Sequence, residues 1–136
     1  MRRLILAAAV AALSGVTHAG PAIAGGADGV WKTEANKKGG YLEVTVAPCK
    51  ADAAKTCGII TAASSATGPD PAYANLGKPI IENMASSDGT SFSGGTIWDP
   101  EDGKTYASKM ILKGDTLDVE GCVGPICRGQ DWQRVQ

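Results

Sequence analysis

Ser93-Gly94-Gly95-Thr96-Ile97-Trp98-Asp99-Pro100-Glu101-Asp102-Gly103-Lys104-Thr105-Tyr106 reads as two strands folded over a tight turn. Pro100 fixes φ near the value needed at a turn's first central position, and Gly103 supplies positive φ where the second strand begins. On both sides, bulky or apolar side chains alternate with polar ones, the period-2 pattern of a half-buried strand. The segment holds no nucleophile paired with a base, no metal-ligand cluster and no phosphate loop, so its information concerns architecture. Gly94-Gly95 inside a strand marks a bulge or sharp bend, the device by which a small sheet curls toward closure.

Downstream, the hairpin's second strand runs through residues 104–113, with Tyr106, Ser108, Met110 and Leu112 on one face and Thr105, Ala107, Lys109, Ile111 and Lys113 on the other. The lysines turn the second face to water and protect the sheet. Tyr106, Met110 and Leu112 are expected to point inward together with Val44 and Leu117. Gly114-Asp115 is a two-residue turn into a strand at 116–120, and a last strand is placed at 130–135, after a loop closed by Cys122 and Cys127. Upstream, 29–33 is a short first strand and 34–40 a polar turn. Residues 41–46 alternate strictly, with Leu42, Val44 and Val46 on one face, and strand character resumes over 56–62.

Between 63 and 84 the pattern weakens. A turn-rich stretch precedes a helical turn over 71–76, with Asp70 as N-cap and Pro71 at the first helical position, and a short strand follows at 80–84. An irregular connection of this length in a small domain is a candidate lid. About eight short strands in sequential hairpins make the chain all-β. The expected architecture is a small up-and-down antiparallel β-barrel rather than a Greek-key sandwich.

Met1-Arg2-Arg3 followed by the uncharged apolar residues 4–13 has the form of a secretory signal peptide, and the apolar run is too short to span a membrane. Ala22-Ile23-Ala24 is the cleaner cleavage pattern and Thr17-His18-Ala19 the alternative. The reading is a signal peptide over 1–24 and a single domain over 25–136. No cysteine follows either site, so lipid anchoring is not available. Cleavage takes Arg2 and Arg3, so Lys plus Arg falls from 13 to 11 against 14 acids, a net charge of −3. Such a chain has no electrostatic reason to bind nucleic acid or an anionic membrane. His18 is the sole histidine and leaves with the signal, which excludes Ser-His-Asp, Cys-His and His-ligated metal chemistry.

Four cysteines allow three pairings. Export to an oxidising compartment and the short separations favour Cys49–Cys57 and Cys122–Cys127, each worth roughly 2–3 kcal/mol by loop closure. The rival four-thiolate zinc site is disfavoured because only Cys122–Cys127 has four intervening residues and neither pair combines knuckle spacing with a cytosolic setting. Asp99, Glu101 and Asp102 lack the remaining ligands of a calcium loop, and nothing brings Glu43 and Glu120 together as an acid pair.

Several motifs together resemble a known family: the run from Gly94 through Trp98-Asp99-Pro100-Glu101-Asp102-Gly103-Lys104-Thr105-Tyr106, then Leu112-Lys113-Gly114-Asp115-Thr116-Leu117, Gly121, Cys127-Arg128 and Trp132-Gln133-Arg134-Val135. With Gly29-Val30-Trp31 and the Cys49 to Cys57-Gly58 spacing, they closely resemble the bacterial family called domain of unknown function 2147. The resemblance covers nearly the whole chain after the signal and implies a periplasmic, lipocalin-like or calycin-like barrel without an assigned activity. Gly29-x-Trp31 looks like the lipocalin G-x-W of the first strand. Arg134 is similar to the basic residue that lipocalins pack across that tryptophan, so Trp31 and Arg134 are the expected structural closure. A guanidinium over an indole is worth about 0.5–2 kcal/mol. In the middle loop, where an Asn-Pro-rich stretch is expected, this chain has Asp70-Pro71-Ala72-Tyr73-Ala74-Asn75.

The function expected is non-catalytic binding of a small apolar or amphipathic ligand in or at the mouth of the barrel, with Tyr73, Trp98, Tyr106 and Met110 as ligand-binding residues. The inward residues either line such a pocket or simply fill the interior of a small barrel. The second reading is therefore a structural or protein-interaction module of the cell envelope with a filled core and a rim patch at Trp98 and Tyr73. No cofactor and no metal is expected, and the chain is read as a monomer.

Overall fold

The structure is a computed structural model and describes residue 15 and residues 26–136. All of the expected signal peptide but Gly15, His18 included, lies outside the described residues.

Nine strands form one antiparallel sheet: β1 (Gly29–Lys32), β2 (Tyr41–Pro48), β3 (Thr56–Ser65), β4 (Gly68–Pro69), β5 (Pro79–Met84), β6 (Ser91–Trp98), β7 (Thr105–Lys113), β8 (Thr116–Val123) and β9 (Ile126–Arg134). The order β2-β1-β9-β8-β7-β6-β5-β3 returns on itself because β2 also pairs with β3, and the two-residue β4 hangs on β3. Eight strands thus close an up-and-down barrel. Closure leaves no bare edge among them. At the expected bend, the β6–β7 register slips between Phe92 and Gly95, with Gly94 at φ +78°.

Inward and outward faces follow the strand alternation. Ser108, Met110, Val44, Val46 and Leu117 are buried, whereas Ile111 is exposed. On the outer face, Lys109 meets Glu120 at 3.5 Å and Lys113 meets Asp118 at 3.9 Å.

The structure departs from the sequence reading most at the β8–β9 hairpin and over residues 71–76, and β2 and β3 run on to Pro48 and Ser65. β9 begins at Ile126, not at 130, and β8 runs on to Val123. Cys122 and Cys127 are therefore directly opposite partners inside the ladder, and their disulfide clamps a hairpin tip instead of closing a separate loop. Gly124 takes φ +57° at that turn, which lets the ladder continue almost to its tip. Residues 71–76 form successive turns and no helix: the Tyr73 amide donates to the Asp70 carbonyl (3.3 Å) and the Leu76 amide to the Tyr73 carbonyl (3.3 Å). Asp70 still holds the first of them, its carboxylate accepting the Ala72 amide at 3.2 Å.

One end of the barrel is packed solid. Trp31, Met84, Met110, Leu117 and Trp132 are fully buried there with Val44, Val46 and Ile60. Residues 26–28 cross this end, and the Arg134 guanidinium lies 4.4 Å above the Trp31 ring. Arg134 donates through Nη1 to the Asp28 carbonyl (2.9 Å) and through Nη2 to the Gly26 carbonyl (2.8 Å), while Trp31 Nε1 donates to the Ala27 carbonyl (2.8 Å). Glycine is required at 29 because a Cβ there would strike the Gln136 carbonyl oxygen and approach Arg134 Nη1 to 2.8 Å. The other cross-link, Cys49–Cys57, closes the β2–β3 turn at this same end.

Candidate functional site

At the opposite end, the β1–β2, β8–β9, β6–β7 and β3–β5 connections surround a cup of about 1160 Å³. Its origin is visible in the inward residues of three adjacent strands, followed from base to mouth. Along β8 they are Leu117, Val119 and Gly121; along β9, Trp132, Gln130 and Arg128; along β7, Met110, Ser108 and Tyr106. Bulk falls on β8 and polarity rises on β9, so the barrel is filled below and empty above.

Leu42, Ala63, Ile80, Ile97, Val119 and Trp132 give the cup its apolar lining. Polar groups near it are paired: Ser108 Oγ donates to the Glu120 carbonyl (2.7 Å), Thr33 Oγ1 accepts the Leu42 amide (2.9 Å), and Trp132 Nε1 donates to Gln130 Oε1 (3.1 Å). A surface of this kind accepts hydrocarbon without leaving those buried donors unmatched. Toward the rim stand Tyr73, Asn75, Tyr106 and Arg128, with Lys37 and Lys38 on one connection and Asp99, Glu101 and Asp102 on another.

The hairpin turn forms part of this rim. Asp99 accepts the Glu101 amide (2.8 Å), Asp102 accepts the Lys104 amide (2.7 Å), and the Tyr106 hydroxyl donates to Asp102 Oδ2 at 2.5 Å. The phenol, helped by the Lys104 amide, holds the Asp102 carboxyl below its ordinary value of 3.8. In turn, the Asp102 carboxylate pushes the Tyr106 phenol above 10.0. The depressed carboxyl contributes above its unfolded value and loses that contribution as pH falls through the folded one. The raised phenol contributes below its unfolded value and loses it as pH rises through the folded one. The tyrosine–aspartate bond therefore holds the rim between about pH 4 and pH 10. Tyr106→Phe is expected to move the Asp102 titration upward in a carboxyl-detected NMR series; an unmoved titration would show that the phenol is not its partner.

Of the residues expected to bind ligand, Tyr73 and Tyr106 line the cup. Met110 does not: at 1% exposure it belongs to the solid base, opposite Val119. Trp98 is also absent from the lining. Strand alternation turns it off the face that Ile97 takes, and it is half-buried, packed against the edge of the core with the Lys78 ammonium 5.8 Å from its ring centroid. The residues missed were Ala63, Val119, Gly121, Arg128 and Trp132. Their signal was the change in bulk and polarity along each inward face, which periodicity alone ignores.

Glu120, Cys122 and Cys127 bring three ligand-type atoms within 4.8 Å of one another. The two sulfurs are bonded to each other, so they present no thiolate to a metal.

A family model described as an uncharacterized protein conserved in bacteria (DUF2147) matches residues 29–134. No curated protein sequence matches the chain. Among solved structures, protein HP1028 from the human pathogen Helicobacter pylori, described as belonging to the lipocalin family, is similar with a TM-score of 0.62. It is 15% identical, over 80% of this chain and 82% of that one, a likeness of fold.

Proposed function

The chain belongs to the bacterial DUF2147 family, and on that footing we propose that it is a periplasmic, non-catalytic carrier or sensor of one small amphipathic molecule, held in the cup with Tyr73 and Tyr106 at its rim. The observation that carries this reading is the half-filled barrel: a solid base under an apolar-lined cavity of about 1160 Å³ that opens through a polar rim. Eight-stranded barrels have room for one small ligand when the side chains of one end are trimmed, and a volume just above the usual range of about 300–1,000 Å³ accommodates a drug-sized or single-chain molecule. The lipocalin-like fold supports the same reading. Two disulfides support an oxidising compartment, as does the signal-like start of the sequence.

The test is fluorescence titration with N-phenyl-1-naphthylamine, an apolar probe, alongside native mass spectrometry of the freshly purified protein. Saturable one-to-one binding displaced by single-chain amphiphiles is the expected result. Absence of both probe binding and any co-purifying mass would remove the proposal.

A second reading, an envelope interaction module, draws on a different place from Trp98 and Tyr73. Val123 and Ile126 are each 68% exposed and flank Gly124-Pro125 at the disulfide-clamped tip of β8–β9. Both side chains also stand at the mouth of the cup, so the probe titration separates the two readings: saturable binding displaced by amphiphiles favours the carrier, and no probe binding by a protein that still holds a partner through this tip favours the module.

A further inference from the structure

Around the mouth, the four connections follow the strand order, so β1–β2 and β6–β7 face each other with β8–β9 between them on one side and β3–β5 on the other. The first carries Lys37 and Lys38, and the one opposite carries Asp99, Glu101 and Asp102; all five residues line the cup. Arg128 projects from β9, next to the basic side, across from Gly121. Among the described residues, the ion pairs within 4.0 Å involve Lys109, Lys113 and Arg134, so Lys37, Lys38 and Arg128 have no carboxylate partner. Two further acids line the cup: Glu34, on the same connection as the two lysines, accepts the Asp131 amide (3.2 Å) and leaves that lip with one net positive charge beside Arg128, and Asp70 on the β3–β5 side accepts the Ala72 amide (3.2 Å); Lys104 of the acidic connection is not among the lining residues. The mouth is thus an apolar well with a basic lip and an acidic lip on opposite sides.

We propose that the molecule held in the cup is a zwitterionic amphiphile, its single apolar chain on Leu42, Ala63, Ile97 and Val119, its acidic group toward Lys37 and Lys38, and its cationic group toward Asp99, Glu101 and Asp102. The proposal rests on the cup being the ligand site and specifies the chemistry that it selects. A purely anionic head would gain from the lysines and face three carboxylates across the opening. A purely cationic head would meet the reverse. At physiological salt the screening length is about 8 Å, so each lip acts on the group beside it and weakly on the group opposite. A head with both charges satisfies both lips at once. The Asp102 carboxylate is fixed in the acidic lip by the Tyr106 hydroxyl and the Lys104 amide, both of which donate to it.

Four probes with the same dodecyl chain separate the possibilities, each titrated calorimetrically below its micelle concentration into the purified protein: a sulfobetaine, a sulfate, a trimethylammonium and a maltoside. Two exposed charge contacts predict that the sulfobetaine binds about tenfold more tightly than the maltoside, with both single-charge probes weaker than the sulfobetaine. In Lys37→Glu/Lys38→Glu the mouth becomes acidic on both sides. The trimethylammonium then overtakes the sulfobetaine, and because both positions are exposed the melting temperature is expected to stay unchanged. Equal affinity for all four probes, or tightest binding by either single-charge probe to the unaltered protein, overturns the zwitterion and leaves the cup standing. Binding by none of them overturns the cup itself and the zwitterion with it.

Discussion

Trp31→Ala is expected to lower the unfolding free energy by about 3–5 kcal/mol, the range for deleting a large buried aromatic. Trp31 is fully buried at the packed end, pairs with both Val44 and Arg134 across two ladders, and supports the Arg134 guanidinium on its ring. Deletion leaves a cavity that the surrounding barrel cannot collapse, and it strips the Ala27 carbonyl of its donor at 2.8 Å. Arg134 would also lose its platform, although its bonds to the Asp28 and Gly26 carbonyls hold residues 26–28 in place. The β1–β9 ladder has two paired positions, continued by backbone bonds between Val30 and residues 135–136, and this cluster is the side-chain tie across the seam. Urea unfolding of the disulfide-intact protein by circular dichroism measures the loss. A cost below about 1.5 kcal/mol, that of a mild core substitution, would show that the seam is secured elsewhere.

Gly95→Ala is expected to cost about 3 kcal/mol or more, or to prevent folding, because overpacking against backbone cannot be relieved by a rotamer change. A Cβ at Gly95 would run into the Glu82 carbonyl oxygen, with Met84 Sδ at 2.5 Å and the Met84 amide nitrogen at 2.8 Å. Only Ile81↔Ile97 and Glu82↔Thr96 pair β5 with β6, with one further bridge at Ala85↔Ser93. Moving β5 aside would therefore open the barrel between its two halves. Gly103→Ala provides the comparison. Gly103 has φ +73° and open space around its Cβ position, so the same substitution there carries a left-handed backbone cost alone, about 1–2 kcal/mol. Equal losses for the two variants in the same urea series would show that Gly95 serves conformation and not close approach.

These two glycines also mark what was readable from the sequence. In the opening hairpin, Pro100 and Gly103 announce the turn through backbone chemistry that does not depend on the rest of the molecule, and Gly94-Gly95 announce the bend. The alternation of Met110 and Leu112 with Lys109 and Lys113 fixes which face is inward, and the structure follows it. The short separations of the cysteines anticipate both disulfides. The end of β8 was misplaced because Gly121 and Gly124 look like breakers, whereas the cross-link at Cys122–Cys127 keeps the ladder paired to Val123↔Ile126.

The site was harder to see. Sequence alternation says that a residue points inward but not how far along the barrel it lies, so Met110 and Tyr106 look equivalent although one is in the solid base and the other at the rim. Depth depends on strand register around the whole barrel, which is a long-range property. Trp98 stands outside the lining for a related reason: nearness to a turn at the rim does not determine which face a side chain takes. Arg128 lies in the last strand, far in sequence from Tyr106; Gly121 meets both because it pairs with Ser108 and Arg128 and lies against the Tyr106 side chain.

Ala63 offers the most direct test of the cup. It is 8% exposed, pairs with Leu42 and belongs to the apolar lining, so Ala63→Phe directs a ring into the empty half of the barrel without touching the packed base. If the cup holds the ligand, this variant keeps or raises the melting temperature and binds N-phenyl-1-naphthylamine more weakly by at least about tenfold, a loss of roughly 1.4 kcal/mol. Unchanged affinity in a folded Ala63→Phe protein would contradict the account, because the probe would then be binding somewhere other than the cup.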